Sequence, residues 1–356
     1  MASVADNLLR KRTYFPVIAR GNVPKFRDVL PEWLDTHNIF KHREAQTTVI
    51  WTSHHLLCLA FTVLFFTTSF SWINLLWWLG FALFHAHFFH TFWYHRFASH
   101  KAFKFRHKFF SGIIYWLNPL LIKEEAYAIP HFVHHKLSDK PGDPYGPING
   151  FWGSFSATES ANFLNRSMTE KQFKFCTKYL SHLPTKFNDQ ETFQKTGSLE
   201  QTWRYPVRFL VTNGFWIGFF LLLGRPDLLA AWYFGAIFFL LIMRDFNYRG
   251  HDEHHPEHKF DDQSWAVNQW VYGWLASEWH DNHHRFSASA KCGFKKGEFD
   301  ASFFFTRLLH KIGILQSYVD SSNGYAREAA RIEASKKSSP PPETGQPPAE
   351  GLSSSS

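Results

Sequence analysis

Residues 45–95 contain no Asp, Glu, Lys or Arg, and a run of that length without charge belongs in lipid. At about 20 residues per crossing it is long enough for two membrane spans. The sequence predicts a helical hairpin with spans near 48–67 and 73–92, turning at a polar tip over 68–72. A second apolar pair lies near 206–224 and 227–243, each slightly short for a crossing unless Arg208 and Arg244 snorkel to the interface. The alternative for this second pair is two buried helices of a soluble fold.

Four crossings leave the N-terminus, residues 96–205 and everything after Arg244 on one side. Nearly all Lys and Arg fall there. The two short loops on the other side carry only Arg225, so the positive-inside rule makes the large side cytosolic. Residues 1–20 lack an apolar signal core, and Arg10, Lys11 and Arg12 read as a cytosolic start. The expected organisation is a cytosolic N-terminal segment (1–44), a membrane domain (45–333) and a disordered tail (334–356) rich in Ser, Pro, Lys and Gly. Segment 102–122 mixes basic residues and His with Phe, Ile, Leu and Trp, as an interfacial amphipathic helix or a core-facing helix would.

Composition narrows the function. Aromatic residues make up 19% and charged residues 19% of the chain, the latter below the roughly 25% of soluble domains. The net charge of +8 suits an anionic lipid surface or a phosphate-bearing substrate such as coenzyme A. No nucleic-acid partner is expected, because the basic residues are scattered and form no recognisable binding module. Only Cys58, Cys176 and Cys292 are present, far apart and odd in number, so neither a disulfide framework nor a CxxC site is available. Any metal must rely on histidine.

Four histidine clusters stand out: HRFASH (His95, His100), HFVHH (His131, His134, His135), HDEHH (His251, His254, His255) and HDNHH (His280, His283, His284). All lie on the predicted cytosolic side. On a helix, positions three and four apart share a face, so HxxHH can offer three imidazoles to a common site. The five-residue spacing of the first cluster sets its two rings about 140° apart on an ideal helix. Each ring then approaches from another side, or the helix ends between them. Eight or nine imidazoles exceed the four ligands of a zinc site and fit two metals, although imidazole itself suits zinc, copper and iron alike.

These boxes resemble those of the acyl-CoA and related Δ9-type fatty acid desaturases, which share HxxxxH, HxxHH and a final HxxHH with two membrane hairpins. DKPGDPYGP after the second box and SEWHDNHHRFSASAKCGF around the last are similar to the family's segments, and Asn247 with His251 in NYRGH matches its NxxxH element. The resemblance covers roughly residues 51–318. It implies an all-α integral membrane protein, with four transmembrane helices in two hairpins and a cytosolic helical cap holding a histidine-ligated dimetal site. The implied ligands are His95, His100, His131, His134, His135, His251, His280, His283 and His284, with Asn247 acting through a water. It leaves His254 and His255 outside the ligand set. The Gly and Thr residues that often precede the family's first box are replaced by FHAHFFHTFWYHR. Its extra His85, His87 and His90 are expected to pack or hydrogen-bond rather than ligate.

The family's metal is iron, so the resemblance implies a di-iron centre with O2 as co-substrate. The implied reaction removes two hydrogens from neighbouring methylenes of a fatty acyl chain, giving an alkene and water. Such methylenes are beyond side-chain acids and bases, so the metal supplies reactivity while the protein positions and excludes water. Asp139, Asp143, Asp252, Glu278 and Asp281 are candidates to fix the second ring nitrogens. No haem-binding HPGG motif or flavin or nicotinamide fingerprint is present, so electrons are expected from cytochrome b5 and its reductase, or from ferredoxin. Membrane lipid surrounds the spans, and the endoplasmic reticulum is the default location in a eukaryote, with the site facing the cytosol. The nearest rival is a hydroxylase on the same ligand set. A transporter or non-catalytic metal-binding protein fits less well, because its ligands would run along a membrane path rather than gather on one face.

Overall fold

The computed structural model describes residues 7–338 except 39, 42–44, 158–162, 255–259 and 261–263. It is mostly helical, with one short two-stranded sheet among the described residues. Among the described residues, three helices are long and apolar enough to cross a membrane: Gln46–Ser69, Arg204–Leu222 and Pro226–Arg249. They fall where the first, third and fourth spans are predicted.

The second expected span is built in two parts. Ser71 caps its start by accepting the N–H of Asn74 (3.1 Å), an α-helix runs over Trp72–Phe84, and the chain continues as a π-helix over His85–Ser99. The α-helical part exposes Trp72, Ile73 and Leu76, whereas nearly every side chain of the π-helical part is buried. One continuous helical rod thus begins on the apolar surface and ends inside the protein.

Pro226–Arg249 packs against both Ala45–Leu64 and Trp72–Phe84. Gly235 sits at the tightest point, where an added Cβ would lie 2.9 Å from the backbone nitrogen of Ala82. Small residues permit such approach of two backbones when apolar burial alone gives little drive to associate. The first helix and the helix Arg204–Leu222 keep exposed Leu, Val and Phe along their lengths, including Leu56, Leu59, Val63, Leu210 and Phe219.

Arg208 departs from the snorkelling expected of it. It is fully buried, donating to Glu124 Oε2 at 2.6 Å and to Tyr94 Oη at 3.0 Å. A carboxylate compensates its charge from within the fold, and the pair ties helix Arg204–Leu222 to the start of helix Glu124–Leu137. Arg244 is buried too, with its guanidinium 5.8 Å from the Phe155 ring centre.

Segment 102–122 is not one helix. Phe103–Phe105 forms a strand antiparallel to Leu315–Tyr318, and only Lys108–Leu117 is helical. The alternation of Phe103, Lys104 and Phe105 has the two-residue period of a strand, and a pattern that short is lost in a window set for helices. Helix Ser322–Ser338 covers the first residues of the predicted tail, while 339–356 lie outside the described residues.

Candidate metal centre

The nine predicted histidines gather into two adjoining groups: His95, His100, His131, His135 and His283, and His134, His251, His280 and His284. Within each group one ligand atom per residue lies within 4.8 Å of all the others.

The first box reaches the five-histidine group because its helix is wide. The His100 N–H bonds to the His95 carbonyl at 3.1 Å, an i to i+5 closure that stacks the two residues instead of splaying them. Their ring centres lie 5.0 Å apart. The separation expected for an α-helix therefore does not apply, and the helix ends at His100 with both rings on one side.

The HFVHH and HDNHH boxes lie on helices Glu124–Leu137 and His280–Arg285, as their spacing predicts. Neither serves a single group. His131 and His135 join the five, and His134 the four; His280 and His284 join the four, and His283 the five. At ~100° per residue, i and i+4 diverge by only about 40°, whereas i+3 points to the other side. Each box therefore straddles both groups.

HDEHH behaves differently. Helix Pro226–Arg249 has ended before it, and His251 forms an isolated bridge with Ala266. His254 is exposed and outside both groups, and His255 lies outside the described residues.

In the five-histidine group the Nε2 atoms form one chain of contacts. His95 meets His283 (2.9 Å), His283 meets His135 (2.9 Å), His135 meets His131 (3.1 Å) and His131 meets His100 (2.7 Å). An imidazole nitrogen offers one proton or one lone pair. His131, His135 and His283 each face two such neighbours and cannot satisfy both by hydrogen bonding, whereas a central cation satisfies all five. The spacing agrees, since nitrogens about 2.0–2.1 Å from one ion and at right angles stand about 3 Å apart. In the second group His251 Nε2 meets His280 Nε2 at 2.9 Å, and the buried Nε2 atoms of His134 and His284 have no hydrogen-bond partner among the described residues. The donor set fits two metal ions.

Five of the nine histidines have their outer nitrogen held by a protein side chain. His95 Nδ1 lies 3.0 Å from Glu278, His134 Nδ1 2.9 Å from Asp143 and His251 Nδ1 3.0 Å from Asp139. With Nδ1–H given to a carboxylate, Nε2 keeps its lone pair facing inward. Asp252 instead accepts the backbone N–H of His254. Two partners went unforeseen: Tyr145 Oη, 2.6 Å from His131 Nδ1, and Ser264 Oγ, 3.0 Å from His284 Nδ1. Tyr145 lies in the DPYGP segment already singled out, whereas nothing around Ser264 marked it.

Electrostatics keep the rings receptive. Burial, reinforced by neighbouring imidazoles, drives His100, His131, His135, His280, His283 and His284 well below the ordinary histidine range. Burial also lowers His134, but the charge and hydrogen bond of Asp143 outweigh it and hold this ring above its usual value. Burial raises Asp139, yet His251 and the Trp265 N–H bring its carboxyl down to about 2.

A cavity of about 60 Å³ borders both groups, touching His95 and His131 of one and His251 and His280 of the other. Trp51, Ile122, Leu240, Met243 and Phe246 give it an apolar wall, and Asn247 lines it as well. The extra histidines stay outside both groups. His85 Nε2 donates to the Trp232 carbonyl (3.0 Å), His87 Nδ1 meets Ser277 Oγ (2.9 Å), and His90 packs against the rings of Tyr127 and Phe239 and lines the cavity.

A family model described as fatty acid desaturase matches residues 70–290. The chain is 24% identical over 224 residues to Delta-9 acyl-lipid desaturase 1 of Arabidopsis thaliana, covering 57% of this chain and 61% of the relative. Identity to two Anemone leveillei proteins is also 24%: over 275 residues to Acyl-CoA C20 Delta5-desaturase (73% of this chain, 77% of the relative) and over 195 residues to Acyl-CoA 5-desaturase AL21 (52% of each). The matches thus span from about half to three quarters of these relatives' lengths. With more than half of its length matched and its histidine boxes folded into two metal-competent groups, the chain belongs to the fatty acid desaturase family.

Proposed function

We propose that this protein is a four-span membrane enzyme that desaturates a long fatty acyl chain. The observation that carries the reading is the cavity whose wall joins both histidine groups to apolar side chains of the candidate spans. The relatives' names supply two acyl carriers, lipid and coenzyme A, and we favour the acyl-CoA. The overall change is RCH2CH2R + O2 + 2e⁻ + 2H⁺ → RCH=CHR + 2H2O, with both electrons from an external donor such as cytochrome b5 and its reductase, or ferredoxin.

The nine histidines would hold two iron ions, with Asn247 contributing through a water. Iron bound there supplies the oxidising power that no side chain has. The chain's own residues do the rest. Asp139, Asp143, Glu278, Tyr145 and Ser264 orient the rings. Leu240, Met243 and Phe246 exclude water from the methylenes. The cavity is far smaller than the roughly 300–1,000 Å³ of common ligand sites. Entry of an acyl chain therefore requires side chains to turn, and Met243 is the wall residue best suited to do so.

In this reading the second crossing is Trp72–Phe84 with the opening of the π-helix, and the two hairpins leave the metal-bearing cap on the Lys- and Arg-rich cytosolic side. In a eukaryote that membrane is the endoplasmic reticulum. The test is gas chromatography with mass spectrometry of total fatty acids from desaturase-deficient yeast expressing the wild type or a His283→Ala, His284→Ala double variant. New alkene in the wild type alone is expected. Hydroxy acids in its place would convert the reading to a hydroxylase, and identical profiles would overturn it.

A further inference from the structure

Val133 and Leu137, one turn apart on helix Glu124–Leu137, form part of the wall of a second cavity, of about 180 Å³, beneath the N-terminal segment. At roughly 30 Å³ of liquid volume per water, it has room for about six waters. Arg10, Lys11 and Arg12 line it, and Asp143 is the acidic side chain among its lining residues. These cations are not equally engaged. Arg10 donates to Glu32 (3.3 Å) and Thr36 (3.0 Å), whereas Lys11 and Arg12 make no ion pair among the described residues.

Arg12 is the unusual one. It is 9% exposed, its Nη1 donates to the Gly153 carbonyl at 3.2 Å, and its buried Nη2 has no hydrogen-bond partner among the described residues. The nearby carboxylates are committed elsewhere. Glu32 takes Arg10 and the Thr13 N–H (2.6 Å), and Asp143 takes His134 and the N–H groups of Asp139 (2.8 Å) and Tyr145 (3.1 Å). Burial pushes the Arg12 guanidinium down to about 10 despite the charges of Glu32 and Asp143. A buried cation with an open donor beside a cavity lacks its counterion.

We propose that this cavity binds a phosphate group, with Arg12 Nη2 and Lys11 Nζ as its donors. Two positive charges without an ion pair among the described residues suit a phosphate monoester, which carries about −1.5 to −2 near neutral pH, better than a carboxylate. The guanidinium fork matches its oxygens. The group is either a soluble phosphate or a lipid headgroup. The site is independent of the reaction proposed above.

The experiment uses full-length protein in phosphate-free detergent, titrated calorimetrically with inorganic phosphate at constant ionic strength. A parallel arm uses phosphatidylcholine nanodiscs with and without phosphatidic acid, read by native mass spectrometry. Saturable phosphate binding that weakens at least fivefold in Lys11→Gln and vanishes in Arg12→Gln supports the site with a soluble ligand. Retention of phosphatidic acid by the wild type and its loss in Lys11→Gln, without response to free phosphate, supports the lipid source. Lys11 is exposed, so its variant keeps the test open should Arg12→Gln fail to fold. Absence of binding in both arms, or binding within twofold of wild type in Lys11→Gln, overturns the proposal.

Discussion

The two histidine groups share the HFVHH and HDNHH boxes, yet they are finished differently. The five-histidine group takes both residues of the first box and is backed by one carboxylate, Glu278, and one phenol, Tyr145. The four-histidine group takes His251 instead and is backed by two carboxylates, Asp139 and Asp143, with the hydroxyl of Ser264. The group with fewer imidazoles thus has more negative charge behind it. Carboxylate-backed imidazoles are stronger donors, so a metal held by fewer rings would be compensated by better ones. With four rings it would leave room for a further small ligand, and Asn247 lines the cavity that His251 and His280 border.

The largest test of this contrast removes one ring from each group. His283→Ala leaves four imidazoles in its group and His284→Ala leaves three. Both variants should bring product below detection, but elemental analysis should give close to two metals per chain for the first and about one for the second. Equal losses would erase the distinction. Next come the backing groups. Asp143→Asn and Glu278→Gln should each cost about 10–100-fold in metal affinity or turnover, with Asp143→Asn weakening the four-histidine group and Glu278→Gln the five-histidine group in competition with a graded chelator.

Neutral partners should matter less. Tyr145→Phe and Ser264→Ala each remove one hydrogen bond of about 0.5–1.5 kcal/mol, hence at most about a tenfold loss of turnover. Smallest of all, His85→Phe should leave metal content unchanged, since His85 bonds to the Trp232 carbonyl and belongs to neither group. Loss of metal in that variant would show that the groups extend along the helix beyond His95.

Much of this arrangement is legible in sequence because spacing is geometry. The uncharged run and the two later apolar stretches locate the long helices, and HxxHH locates the helical boxes. What spacing cannot convey is which side of a box faces which neighbour. That is why three imidazoles expected at a common site divide between two groups. Nor does it show long-range pairing. Arg208 reads as a snorkelling end residue until Glu124, far away in sequence, is folded against it. The strand Phe103–Phe105 is hidden for a similar reason, because its partner Leu315–Tyr318 lies near the other end of the chain.

The π-helical closure between His95 and His100 also fixes a length. Removing one residue from RFAS would leave an i to i+4 spacing that the wide helix does not stack, while adding one would carry the second histidine one position further around and along it. Substitutions among these four residues change chemistry locally, but insertions and deletions change which ring arrives at all. In the divergence of such chains this interval should tolerate replacement of side chains far more readily than a change of reading length.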